Sequence, residues 1–166
     1  PEDRLGRGAG PDMSLADNAL LTAHSKGLVR HGFIQRAAER SFTADCIARF
    51  GVRTSGPQAE AGALSGGNLQ KFIMGREMML QPSVLLVAQP TWGVDIGAAL
   101  DIRQRLVAMR NDGTAILVIS EEIDELFEIC DRLHVLHKGR LSPSLAVAST
   151  TVEQVGTWMI GAEASL

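Results

Sequence analysis

No apolar run in this 166-residue sequence approaches the roughly 18 residues that span a bilayer. No secretory signal is visible, so the expected location is the cytoplasm, with docking on a membrane protein left open. Cysteine is scarce. Cys46 and Cys130 stand far apart, and neither a CxxC pair nor a Cys/His ligand cluster occurs. Both read as small buried hydrophobes of a reducing compartment. His134 and His137 alternate with apolar residues in "RLHVLHKG", which suits the polar face of a strand, and no metal site is expected. An excess of positive charge is lacking too. Net charge is −3 and the sequence pI about 5.8, so the basic footprint of a nucleic-acid binder is absent and no nucleic-acid partner is expected. Internal repeats and low-complexity stretches are also absent.

What remains is ordinary for a folded soluble domain: 45% hydrophobic and 21% charged residues, well away from a disordered composition. The length fits about one domain, able to bury roughly 70% of its unfolded surface.

The two halves of the chain differ. "DMSLADNALLTAH" opens one helix with Ser14 as N-cap, and "GFIQRAAERSFTADCIARFG" forms a second. The second carries Ile34, Ala38, Phe42, Cys46 and Phe50 on one stripe and stops at Gly51. "VRTSGPQAEAGAL" is a loop, and a third helix starts within "LSGGNLQKFIMGREMMLQ" and ends before Pro82. Beyond Pro82 the period changes. "SVLLVA" and "TAILVIS" are continuous apolar strands, "IGAALDIRQRLVAMRNDG" and "EEIDELFEICD" are helices, and "RLHVLHKGRL" is a strand turning at Lys138-Gly139. "TVEQVGTWMIG" closes with a short helix. Strand-helix-strand-helix-strand with apolar strands predicts a parallel sheet with right-handed crossovers. Three strands are few for such a sheet and "PEDR" is an abrupt start, so further strands are expected upstream, making the chain a fragment of something longer.

"LSGGNLQK", residues 64–71, is the most informative stretch. A serine hydroxyl and two glycines just before a helix present bare amides at a positive helix end, a ready site for phosphate. Alone, Ser-Gly-Gly is more simply a helix N-cap with a flexible lead-in. Its surroundings change that reading.

The segment resembles the signature motif of ATP-binding cassette (ABC) transporter ATPases, and "QPTWGVDIGA" follows where that family places its second strand-and-loop motif. "PEDR" with "DMSLADN" is similar to the region between the gamma-phosphate-sensing loop and the helical subdomain. "ISEEIDEL" resembles the switch region. In detail the chain is most similar to the second ATPase half of fused subunits serving sugar and nucleoside importers, and its tail resembles the nucleoside branch. The resemblance implies an α/β fold of the P-loop NTPase, ABC-ATPase type, with a partial parallel sheet and an α-helical signature subdomain. Residues 1–82 would be that helical subdomain with the end of the sensing loop, 83–142 part of a RecA-like core, and 143–166 a tail with a short helix.

Set against the family's pattern, several positions have changed. No G-x-x-x-x-G-K-[ST] occurs, so the phosphate-cradling loop lies upstream or was never present. Glu2 stands where most relatives place the glutamine that senses magnesium and gamma-phosphate. Ala88 replaces a strand aspartate, costing the metal an oxygen ligand. Gln89 replaces the catalytic glutamate and cannot act as a carboxylate base. Glu121, or Ser120 with a one-residue slip, falls at the switch histidine, and neither can act as an imidazole.

In this family two halves pack head to tail, each ATP lying between one half's phosphate loop and the other's signature. The resemblance therefore implies that this half lends Leu64, Ser65, Gly66, Gly67, Asn68 and Gln70 to a partner's ATP. Gly93 and Asp95 form the loop that crosses the interface, and Trp92 beside it reads as interface packing. ATP and Mg2+ would be held mainly by the partner half, and this segment alone would be inactive. The implied partners are another ATPase half, in the same chain at full length or as a separate partner, with transmembrane permease subunits and, indirectly, a solute-binding protein. The place would be the inner face of the plasma membrane. A non-hydrolysing regulatory nucleotide module, and a soluble ABC protein outside transport, are the alternatives.

Overall fold

The computed structural model describes residues 3–161, which form two compact units, one ending at Ile119 and the other starting at Ser120. The first unit opens in a tight loop, where the Gly8 and Ala9 amides donate to the Asp3 and Arg4 carbonyls. α1 (Leu15–Ala23) starts at Ser14, whose Oγ accepts from the Asp17 amide, as the sequence predicts for an N-cap.

The second helix begins later than its periodicity suggests. Residues 32–34 belong instead to a hairpin, β1 (Val29–Arg30) against β2 (Phe33–Ile34). Its two-residue turn, His31-Gly32, takes φ values of 50° and 80°, the paired left-handed conformation that matches strand twist in tight hairpins. α2 (Arg36–Arg49) follows, and its buried face is turned from the expected stripe. Ile34 and Ala38 are exposed and Phe42 is half-buried, while Glu39, Thr43, Cys46 and Phe50 face inward. The physical reason is Glu39. At 1% exposure its carboxylate takes two bonds from Arg36 Nη1 at 2.9 and 3.0 Å, so a charged residue occupies core that apolar periodicity assigns elsewhere. Gly51, at φ 58°, ends the helix as expected.

α3 (Gly66–Met78) packs on α2 at Gly75, where an added Cβ would lie 2.6 Å from the Phe50 ring and 2.9 Å from Cys46 Sγ. Cys46 is fully buried there, and burial pushes its thiol up to about 12. At pH 8 it is therefore a neutral, shielded thiol with almost no thiolate to react. A native-state alkylation time course should leave Cys46 unlabelled for hours and label it within minutes in guanidinium. Free-thiol rates in the native protein would contradict this packing. Cys130 departs from the sequence reading, because it lies half-buried at the end of α5 (Ile123–Ile129).

β3 (Val84–Ala88) pairs in parallel with β4 (Ala115–Ile119), Val84 opposite Ala115 through Ala88 opposite Ile119. α4 (Ile96–Asn111) connects them and buries Ala98, Ile102 and Leu106. The apolar strands predict burial on both faces, yet only one is covered. Leu85 and Val87 are buried, whereas Leu86 is 66% and Leu117 54% exposed. Side chains alternate across a strand, and within this unit the described helices pack against a single face.

The predicted third strand does not join this sheet. In the second unit β5 (Arg132–Leu133) pairs antiparallel with β8 (Leu145–Ala146), and β6 (Leu136–His137) with β7 (Arg140–Leu141). Lys138 and Gly139 both take positive φ, folding the segment straight back on itself. α6 (Val152–Met159) starts at a Thr151–Gln154 capping box. Leu133, Val135 and Val155 form this unit's core with Phe127 and Trp158 packed against it. Among the described residues no helix is long and apolar enough to cross a membrane.

Candidate functional site

The start of α3 is open. Ser65 is its N-cap, and its Oγ accepts from the Asn68 amide at 3.4 Å and from Asn68 Nδ2 at 2.9 Å. Ser65 and Gly66 are exposed, while Leu64, Gly67 and Asn68 are half-buried. The Asn68 amide is taken by that hydroxyl, whereas the Gly66 and Gly67 amides have no acceptor within the helix, so the hydroxyl and these two N–H groups border an open depression of about 680 Å3. Such a place suits a phosphate.

Two side chains, Arg4 and Gln70, fasten this turn and its helix to their neighbours. Arg4 Nη1 donates to the Gly66 carbonyl at 3.2 Å, and its Nη2 donates to the Trp92 carbonyl. The guanidinium thereby bridges the serine-glycine turn and the loop that leads to Gly93. Both glycines make room for it: a Cβ would lie 3.2 Å from Arg4 Nη1 at Gly66 and 3.4 Å from it at Gly93. Gly67 in turn approaches the Gly93 carbonyl, 3.2 Å from where its Cβ would be. Burial lowers the Arg4 pKa from its usual value. Gln70 is turned away from the depression, and its Nε2 donates to the Gln89 carbonyl at 3.2 Å and the Pro90 carbonyl at 2.8 Å. It fastens α3 to the tip of β3.

Asp95 caps α4, with Oδ1 accepting from the Ala98 amide at 2.9 Å and Oδ2 paired with Lys71 Nζ at 3.2 Å. The Ala98 amide first, and Lys71 second, hold its carboxyl below the usual carboxylate range. Its negative charge is thus engaged at the rim. Lys71, Arg4 and Arg53, which also lines the depression, are residues that sequence reasoning passed over. Arg4 contacts residues 62 and 88 positions away, so no local pattern announces it.

The tip of β3 is different in kind. Ala88 ends the strand half-buried, and Gln89 takes a left-handed φ of 50° while its amide extends the ladder to the Ile119 carbonyl at 2.7 Å. Neither supplies a carboxylate. Glu121 belongs to the second unit, where it is exposed in the turn before α5. Beside it Ser120 Oγ donates to Glu125 Oε2 and accepts from the Glu122 amide, each at 3.0 Å. Glu2 lies outside the described residues.

The chain is 38% identical over 162 residues to the nucleoside import ATP-binding protein NupA of Lactococcus lactis subsp. cremoris (strain MG1363), covering 97% of this chain and 32% of that protein. It is 37% identical over 155 residues to the xylose import ATP-binding protein XylG of Escherichia coli (strain K12), covering 93% of this chain and 30% of that protein. The chain belongs to the ATP-binding cassette ATPases. Solved cassettes share its fold: the post-hydrolysis dimer of the ATP-binding cassette MJ0796 bound to ADP and Pi superposes with a TM-score of 0.71 at 20% identity, covering 86% of this chain and 61% of that one. No protein-family model matches the sequence. This ABC chain spans about a third of the length of the curated relatives it matches.

Proposed function

We propose that this chain is the portion of an importer's ATP-binding subunit that completes another half's ATP site and no longer operates one of its own. The observation that carries the reading is the contrast between two ends. The α3 start presents Ser65, Gly66 and free helix amides on a turn braced by Arg4 and Asn68, while the β3 tip ends in Ala88 and Gln89 with no carboxylate. The residues at the α3 start fit the phosphates of ATP. Those at the β3 tip do not fit Mg2+, which wants hard oxygen ligands, so the metal is assigned to the partner half.

In this mechanism ATP, once presented by the partner, supplies the phosphoryl group to be cleaved. Ser65 Oγ donates to a terminal phosphate oxygen and the α3 amides add fixed positive potential, a preorganised arrangement that favours charge developing in the transition state. Gly66 and Gly67 keep side chains out of the approach. Asp95, held by Lys71, and Gly93 shape the loop facing the other half, where Trp92, exposed, supplies packing area. Residues 1–82 serve as the signature subdomain, 83–142 as part of the RecA-like core and 143–166 as the tail. The whole protein would hydrolyse ATP to drive nucleoside or simple-sugar uptake, docked through permease subunits on the cytoplasmic side of the membrane. The 166 residues alone would not turn over ATP.

The state of the β3 tip is tested by Gln89. In the full-length protein Gln89→Ala should leave ATP turnover within about twofold of normal, because no proton passes through that amide. Gln89→Glu restores a base but no metal ligand at Ala88, and catalytic groups that act as a unit are strongly non-additive. Turnover should therefore stay unchanged. A collapse with Gln89→Ala, or a doubling with Gln89→Glu, would show a working site at this tip.

A further inference from the structure

The loop after α2 brings one more cation to the depression at the start of α3. Arg53 follows Gly51, where the chain turns, and its backbone amide donates to Asn68 Oδ1 at 2.8 Å. The same Asn68 side chain donates through Nδ2 to Ser65 Oγ at 2.9 Å. A single amide group therefore fixes the backbone of Arg53 relative to the serine that starts the helix. The Arg53 side chain is exposed and lines the depression with Ser65, Gly66 and Lys71.

Its neighbours are occupied. Lys71 is paired with Asp95 at 3.2 Å, and Arg4 is bonded to the carbonyls of Gly66 and Trp92. Among the described residues no hydrogen bond or ion pair holds the Arg53 guanidinium. A guanidinium beside the positive end of a helix gains nothing from that dipole. It gains a great deal from an anion arriving there, because its planar fork matches phosphate oxygens two at a time. The tether through Asn68 restricts the arginine's backbone before the anion arrives, which lowers the ordering cost of binding.

We propose that Arg53 is a ligand for the polyphosphate of the nucleotide received at the α3 start, acting beside Ser65. This rests on the reading of Ser65 and Gly66 given above and adds a binding residue from outside the serine-glycine motif. Its role is binding in ground and transition states alike, so its loss should appear in KM and spare kcat.

The test is steady-state ATP hydrolysis by the full-length protein, with Arg53→Gln, Arg53→Lys and Ser65→Ala compared at several salt concentrations. Arg53→Gln should raise the KM for ATP about tenfold, the range of a charge-assisted hydrogen bond, with kcat within about twofold. Arg53→Lys should recover most of that loss, since it keeps the charge and gives up only the fork. The dependence of KM on salt should be shallower in Arg53→Gln, because one screened attraction has gone. An unchanged KM in Arg53→Gln, with a large loss still seen in Ser65→Ala, overturns the assignment of Arg53 alone. Normal hydrolysis in both variants overturns the reading of the α3 start on which it stands. Equal damage in Arg53→Gln and Arg53→Lys, with a lowered thermal midpoint in each, overturns the ligand role in favour of a structural one.

Discussion

Gly66→Asp should abolish ATP hydrolysis and solute uptake by the full-length protein while leaving its fold intact. Gly66 occupies the first position of α3, and its backbone does not need the left-handed region. A Cβ there meets only Arg4 Nη1, at 3.2 Å, the far end of a flexible side chain. A carboxylate in the first turn of a helix is worth about 0.3–1 kcal/mol in its favour, so stability should hold or rise slightly. Function runs the other way. Losing one preorganised donor to a developing oxyanion costs roughly 3 kcal/mol, about a hundredfold in rate. An aspartate does more, because it places negative charge where phosphate must approach and offers Arg4 a carboxylate to take instead of the Gly66 carbonyl. The loss should therefore exceed about a hundredfold, with an unchanged thermal midpoint. Near-normal uptake by the variant would mean that the α3 start receives no nucleotide.

The sequence showed the start of α3 clearly, because Ser-Gly-Gly before an apolar helix combines an N-cap with a change of period. The α4 cap was not named, and Asp95 was read only as part of an interface loop, although an aspartate just before a helical run is a cap signal of the same kind. The hairpin at His31-Gly32 was not, since histidine is an uncommon choice for a left-handed turn residue and the flanking strands have two residues each. The buried face of α2 was misread because Arg36 neutralises Glu39, and a paired charge leaves no trace in hydrophobic periodicity. The continuous apolar runs of β3 and β4 pointed to cover on both faces, whereas within the first unit one face stays open. In the candidate site the sequence pointed to residues within motifs and passed over the braces. Arg4 works through two backbone carbonyls, and Arg53 is linked to Ser65 through Asn68. Contacts to backbone depend on the fold, so the identity of the residue contacted says nothing in advance.

The brace has its own support, which yields the largest expected effect on stability. Arg76 on α3 is 4% exposed. Its Nη1 donates to the Asn18 carbonyl at 3.0 Å and its Nη2 to the Gly8 carbonyl at 3.1 Å, while Nε bonds Glu77 Oε1 at 2.7 Å. Asn18, itself fully buried, accepts from the Gly10 amide at 2.7 Å and returns a bond to the Gly10 carbonyl at 3.0 Å. α3, α1 and the loop before α1 are thus joined through one guanidinium. Arg76→Met keeps the length and packing of the side chain but leaves the buried Gly8 carbonyl without its donor, and takes from the Asn18 carbonyl a second bond beyond the one it accepts within α1. An orphaned buried carbonyl costs about 1–3 kcal/mol, so the region should lose about 2 kcal/mol, against under about 0.5 kcal/mol for Glu77→Gln, which keeps its acceptor. Hydrogen exchange on the full-length protein reads this directly as weaker protection of the α1 amides and of Gly8 and Gly10. The same loop carries Arg4, so hydrolysis should fall in Arg76→Met although Arg76 does not line the depression at the α3 start. Unchanged protection would show that the Gly8 carbonyl finds another donor, and the hold of Arg4 on the turn before α3 would then not depend on Arg76.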